Sequence, residues 1–249
     1  MHLRRSRLAF LADRRLCGSL FMPEPIQSVL VTGASSGIGK AIVTRLLEQG
    51  LHVTGLSRRA PDLSHANFTW RECDLNDFSA LDKALQQTLR IDALIHAAGF
   101  MRTAPLGELN EADGQAMWHL HVAAASHMVN LLYPRLRDGS RILMIGSRTM
   151  QGAAQRSQYA ATKAALQGMI RSWAIELAPR GITVNLIAPG ATETPMLLDP
   201  ARSGTPPQKP PIGRFVQPGE IAGLAAFLLG PDAGAITGQS LVVCGGASL

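Results

Sequence analysis

Short unbroken apolar runs alternate along this chain with longer stretches whose apolar residues recur every third or fourth position. SVLVTG (28–33) is continuous, rich in β-branched residues and closed by glycine, which predicts a buried strand. Residues 38–49 then read as an amphipathic helix stopped by Gly50. Further strands are predicted at LHVTGLSRR (51–59), FTWRECDL (68–75), IDALIHAAG (91–99), SRILMIGS (140–147), ITVNLIAPG (182–190) and SLVVCGG (240–246). Helices are predicted over 78–89, 111–136, 157–178 and 218–229, the third closed by Pro179 and Gly181. There is no internal repeat. The proline-rich patch SGTPPQKPPIG (203–213) reads as a loop, too short to link domains.

Strand–helix alternation of this kind predicts one α/β domain, a Rossmann-type doubly wound parallel sheet of about seven strands with helices on both faces. Such sheets bind ligands beyond the carboxyl ends of their strands. The candidate residues fall there: Gly33 to Gly39 after the first strand, Arg58 after the second, Asp74 after the third, Ala97 to Gly99 after the fourth, Ser147 after the fifth and Pro189 after the sixth.

Bulk properties narrow the class. The chain has 249 residues and is 46% apolar, enough for a sizeable core. No apolar run approaches the ~18 residues of a membrane span. The net charge is +6, but residues 1–22 hold five arginines against Asp13 and supply +4, leaving +2 for the remainder. That remainder shows no basic stripe, so nucleic-acid binding is not expected. Cys17, Cys73 and Cys244 are widely spaced, which predicts neither a disulfide framework nor a metal site and points to a reducing, cytoplasmic setting. The Arg-rich segment 1–22 is either a targeting peptide or an upstream start, with Met22 as the working start; we expect the second, and a catalytic domain over 23–249.

The chemistry is concentrated in two places. Tyr159 and Lys163, in QYAATKAAL, are four residues apart and so share one helix face. A free phenol has a pKa of about 10, and a neighbouring cation favours its ionised form. Such a phenol can exchange a proton with an alcohol or carbonyl oxygen. Upstream, TGASSGIG (32–39) meets the demands of a phosphate turn: tight bending, close backbone approach and a helix N-terminus aimed at negative charge. The alternative is a helix-start turn with incidental glycines. Together the two motifs suggest proton transfer coupled to hydride transfer.

From Ser28 to Leu249 the chain resembles the short-chain dehydrogenase/reductase family, through TGASSGIG, Asp74-Leu75, HAAG, Ser147, YAATK and NLIAPGATET. The resemblance implies a nicotinamide cofactor, a small-molecule alcohol or carbonyl substrate, and a homotetramer or homodimer. It implies that Tyr159 is the acid/base, that Lys163 tunes it and holds the nicotinamide ribose, and that Ser147 positions the substrate oxygen. Ser147 precedes Tyr159 by twelve residues, one fewer than is common in the family, and could equally be a helix cap. By the same resemblance Gly33, Ser35, Ser36, Gly37, Ile38, Gly39, Asp74, Leu75, Ala97, Ala98 and Gly99 contact the cofactor, although Asp74, following a strand, could simply be a cap. Pro189, Gly190, Thr192 and Thr194 match the segment that holds its nicotinamide and phosphates, or form a plain turn.

Two residues depart from the family pattern. His96 replaces an asparagine of structural role and reads as a tolerated variant. His121 stands where many members place a catalytic helix asparagine; it either sustains a proton relay or is a satisfied interior histidine. Cofactor choice rests on the end of the second strand. An acidic residue there would bind the NAD ribose diol. Ser57, Arg58 and Arg59 occupy it instead, and a guanidinium suits a 2′-phosphate, so NADP(H) is expected ahead of NAD(H); the alternative is two solvated loop arginines. Residues 196–215 should form a substrate lid with Met196, Leu197 and Leu198; Phe100, Met101 and Met150 either join the pocket wall or, the commoner fate of such residues, pack in the core. Cys244 reads as a buried small hydrophobe.

Overall fold

The computed structural model describes residues 24–86, 88, 90–199 and 206–249. The 1–22 extension, residues 87 and 89 of the helix predicted over 78–89 and residues 200–205 of the expected lid lie outside the described residues. Seven parallel strands form one sheet in the order β3-β2-β1-β4-β5-β6-β7. They are β1 (Ser28–Thr32), β2 (His52–Ser57), β3 (Phe68–Glu72), β4 (Ile91–His96), β5 (Leu136–Ile145), β6 (Thr183–Pro189) and β7 (Ser240–Val243). The helices are α1 (Gly37–Glu48), α2 (Phe78–Gln86), α3 (Glu111–Trp118), α4 (Ala124–Leu132), α5 (Ser157–Leu177) and α6 (Pro218–Leu229).

Alternation along each strand sorts the core into two layers, because successive side chains point to opposite faces. Leu30, Leu94, Ile142, Met144 and Leu186 pack on one face against Leu81, Leu85, Met128, Leu132, Leu166 and Ile170 of α2, α4 and α5. Val29, Val31, Ala93, Ile95, Leu143 and Ile187 pack on the other against Ile42, Leu46, Ile221 and Leu228 of α1 and α6. With both faces covered, the central strands carry continuous apolar runs rather than polar–apolar alternation, as the sequence pattern requires.

The chain leaves β3, crosses through α2 and returns as β4 on the far side of β1. This reversal opens the crevice of a doubly wound sheet. In register, Thr32 of β1 stands beside Leu56 of β2 and His96 of β4, so the loops after these strands emerge at one edge.

Two elements differ from expectation. The helix expected over 111–136 is interrupted: α3 passes into a π-helical turn, His119–Ala123, before α4 resumes. It ends at Leu132 because Pro134 lacks the N–H a continuing helix needs, and a short 3-10 turn, Tyr133–Arg135, follows. The next strand therefore begins at Leu136, four residues earlier than expected, and its pairing with β4 shifts register between Ile91 and Ala93.

Candidate active site

A cleft of about 1190 Å³ runs along the carboxyl edge of the sheet. Its floor is the turn between β1 and α1, where Gly33, Ser35, Ser36, Gly37, Ile38 and Gly39 line it. A Cβ on Gly39 would stand 2.2 Å from the Gly33 carbonyl oxygen, and one on Gly33 (φ +69°) would stand 2.9 Å from Ala98. Side chains at these positions would collide with backbone and force the turn apart. Ser36 caps α1 in extended conformation without a side-chain cap hydrogen bond, and the first turn of α1 holds no acidic residue. The positive end of that helix thus faces the cleft uncompensated, which fits a pyrophosphate.

Ser57, Arg58, Asp74 and Leu75 line the cleft beyond β2 and β3. The Ser57 hydroxyl donates to the Arg59 carbonyl (2.8 Å) and accepts from Trp70 Nε1 (3.0 Å), which fixes the arginine loop. Asp74 Oδ1 accepts from the backbone and side-chain nitrogens of Asn76 (3.0 and 2.9 Å). Ala97, Ala98 and Gly99 line the cleft after β4; Pro189, Gly190, Thr192 and Thr194 line it after β6.

Ser147, Tyr159 and Lys163 all line the cleft. Lys163 Nζ lies 5.9 Å from the centroid of the Tyr159 ring, on the same face of α5. It donates to the Ile145 carbonyl at 2.9 Å. Burial, which penalises the charged amine, pulls Lys163 down to about 7. Ser147 both faces the cleft and caps a short turn: its hydroxyl accepts from the Thr149 amide (3.1 Å) and donates to the Thr149 hydroxyl (3.0 Å).

His121 is fully buried behind this group and does not line the cleft. The Phe100 amide donates to its Nε2 at 3.2 Å, so Nδ1 carries the proton, 2.9 Å from the Thr162 hydroxyl. Burial, and next the Lys163 charge, hold His121 well below the ordinary imidazole range. A Cβ at position 99 would stand 3.0 Å from His121 Nε2 and 3.5 Å from Lys163 Nζ, so glycine is what lets the two converge. Behind them, the Ala97 and Ala98 amides donate to the Thr32 hydroxyl (3.1 and 3.2 Å), which stands 2.9 Å from His96 Nδ1. His96 Nε2 reaches the Leu120 carbonyl, inside the π turn, at 3.2 Å. His96 is pushed down to about 3, by burial and then by Lys163.

One wall residue differs from expectation. Phe100, Met101, Met196 and Leu197 face the cleft, whereas Leu198 is 79% exposed; Met150 takes the other expected course and packs against the core under the sheet. Thr32, Thr162, Arg148 and Arg156 join or brace the site without having been expected from the sequence. Thr162 had a readable signal, since it follows Tyr159 by three positions and so lies on nearly the same helix face. Among the described residues no group of three or more metal-binding side chains converges, and no helix is long and apolar enough to cross a membrane.

Fold and cleft together define a dinucleotide-dependent oxidoreductase, and comparison with known proteins gives its family. The family described as enoyl-(acyl carrier protein) reductase matches residues 33–248. The chain is 33% identical over 237 residues to the (2S)-[(R)-hydroxy(phenyl)methyl]succinyl-CoA dehydrogenase subunit BbsD of Thauera aromatica, covering 88% of this chain and 96% of that protein. It is 32% identical over 241 residues to a 3-oxoacyl-[acyl-carrier-protein] reductase of Thermotoga maritima, covering 87% and 96%. A blue fluorescent protein from a metagenomic library, solved in complex with NADPH, superposes with a TM-score of 0.78 at 32% identity over 90% of this chain and 99% of that one. The chain belongs to the short-chain dehydrogenase/reductase family and is an NAD(P)-dependent oxidoreductase acting on CH–OH or carbonyl groups.

Proposed function

We propose that this protein interconverts a carbonyl compound and its secondary alcohol with NADP(H), using Tyr159 as the acid/base. The observation that carries this reading is the Lys163 ammonium 5.9 Å from the Tyr159 ring, inside the cleft. A bound nicotinamide supplies or accepts the hydride at the carbonyl carbon. Tyr159 gives its hydroxyl proton to the substrate oxygen in reduction and takes it back in oxidation. Lys163 stabilises the ionised phenol left behind. Ser147, held by Thr149, orients the substrate oxygen.

His121 acts here as a neutral positioning group, because both ring nitrogens are already engaged. The glycine turn and the open end of α1 hold the pyrophosphate, while Asp74 and Leu75 lie at the adenine end. Pro189, Gly190, Thr192 and Thr194 hold the nicotinamide half. The preference for NADP(H) rests on Arg58 and on the absence of a carboxylate at the end of β2. NADPH in the related solved complex is consistent with it. A cytoplasmic homo-oligomer, tetramer or dimer, completes the proposal.

The test is NADPH oxidation against ketones, aldehydes and an acetoacetyl thioester. The Tyr159→Phe variant should lose activity by roughly 100-fold or more while still binding NADPH. Activity that survives this change would refute the role of the phenol. Preference for the thioester would mark a 3-oxoacyl carrier-protein reductase, the activity named for the Thermotoga relative. Tight NADPH binding without turnover of any substrate would mark a cofactor sensor.

A further inference from the structure

The substrate side of the cleft carries two arginines that have no ion-pair partner among the described residues, whereas Arg102 there faces Asp199 at 3.4 Å. Arg156 and Arg148 both line the cleft, and among the described residues neither is ion-paired. Arg148 Nη1 donates to the Ala247 carbonyl at 2.9 Å. Arg156 Nε is buried and has no hydrogen-bond partner. Burial, and next the like charge of Arg148, lower the Arg156 guanidinium from its usual value, while Tyr159 acts in the opposite sense. Arg156 is therefore within electrostatic reach of both Arg148 and the reacting phenol.

The backbone beside it is strained. Gln155, immediately before Arg156, is the one non-glycine residue in the left-handed region among the described residues, at φ 61°. Such a conformation is costly for a residue with a side chain and collects at ligand-binding sites. The Gln155 carbonyl accepts from the Ala104 amide at 3.0 Å, tying this segment to the loop after β4, on the opposite side of β1 from the arginine loop after β2. An unpaired, partly buried guanidinium is also costly unless an anion meets it.

We propose that Arg156, with Arg148 beside it, binds an anionic group, a carboxylate or phosphate, that the carbonyl substrate carries away from its reacting carbon. A planar guanidinium takes either oxyanion through paired N–H donors. This inference rests on the carbonyl-reducing function proposed above, which it deepens by naming a substrate class.

The experiment compares matched pairs: 4-oxopentanoate against its methyl ester, and acetoacetyl-CoA against the N-acetylcysteamine thioester. kcat/KM is measured for both members in the wild type and in Arg156→Ala. A general folding defect scales both members equally, so the ratio is what is read. The charged-to-neutral ratio should fall roughly 10- to 100-fold in the variant for at least one pair. The pair that responds tells carboxylate from phosphate. A ratio unchanged in both pairs overturns the inference. So does NADPH affinity that falls in step with the ratio, since Arg156 would then serve the cofactor. If the wild type reduces none of the four, binding replaces rate as the readout, and the proposed function fails only if no other ketone or aldehyde is reduced either. Calorimetric binding of 4-oxopentanoate and of coenzyme A to the NADPH complex then decides: binding of either that weakens in Arg156→Ala keeps the anion site, and equal or absent binding of both removes it.

Discussion

His121 Nδ1 lies 2.9 Å from the Thr162 hydroxyl, and that hydroxyl donates to the Tyr159 carbonyl at 2.8 Å. The π turn after α3 is thereby fastened to the turn of α5 that carries the proposed acid/base. Thr162→Val keeps the volume and removes the oxygen, leaving the His121 N–H buried and unpaired. Urea unfolding should show a loss of about 1–3 kcal/mol with an unchanged m-value. Since His121 is neutral, His121→Asn should leave the ionisations in the kcat/KM–pH profile where they are. An ionisation that disappears in this variant would identify His121 as a proton carrier.

Lys163 carries its own pH signature. Its amine falls from about 10.5 when unfolded to about 7 when folded, through burial. Between those values the unfolded chain binds more protons than the folded one, so this residue makes stability rise with pH across that window. Below about 7 both states are charged and the full cost of burying the ammonium is present. Lys163→Met should therefore be the more stable protein at pH 7, by up to about 4 kcal/mol, and the difference should shrink towards pH 10. Thermal unfolding of both proteins at several pH values checks it. A difference that does not change with pH would count against a depressed amine.

The sheet and the cleft floor were legible because their signals are local. Buried parallel strands require unbroken apolar runs, and the glycines of 33–39 mark places where the backbone leaves no room for a side chain. The π turn was not legible. It involves long-range contacts: His96, far upstream in β4, reaches the Leu120 carbonyl, and His121 engages Phe100 and Thr162. Helical periodicity over 111–136 carries no trace of those partners. Met150 illustrates the same limit, since its apolar character suits cleft and core equally and only the turn after Ser147 decides. Pro134, by contrast, was a readable stop inside the expected helix.

Arg58 sets the expected cofactor choice. Arg58→Ala should lower kcat/KM for NADP(H) by roughly 10- to 100-fold, the worth of one charge-assisted contact, and change the value for NAD(H) little. Steady-state rates with both cofactors check this. Equal losses with the two would place Arg58 in a structural role, alongside Ser57 and Trp70, which already brace that loop.

Gly39 offers the sharpest steric test. Its missing Cβ would lie 2.2 Å from the Gly33 carbonyl oxygen and 2.8 Å from that carbonyl carbon, both backbone atoms that no rotamer change can move. At Gly37 the nearest obstacle is the Thr194 methyl group at 3.3 Å, a side-chain atom that can yield, although the φ of +53° adds strain there. Gly39→Ala must shift either the turn or the first residues of α1, and so displaces the amides proposed to meet the pyrophosphate. NADPH binding, followed by fluorescence, should weaken more in Gly39→Ala than in Gly37→Ala, and stability should fall by about 1–3 kcal/mol in the former. The reverse order would mean that left-handed strain at 37, rather than close packing at 39, governs the cradle.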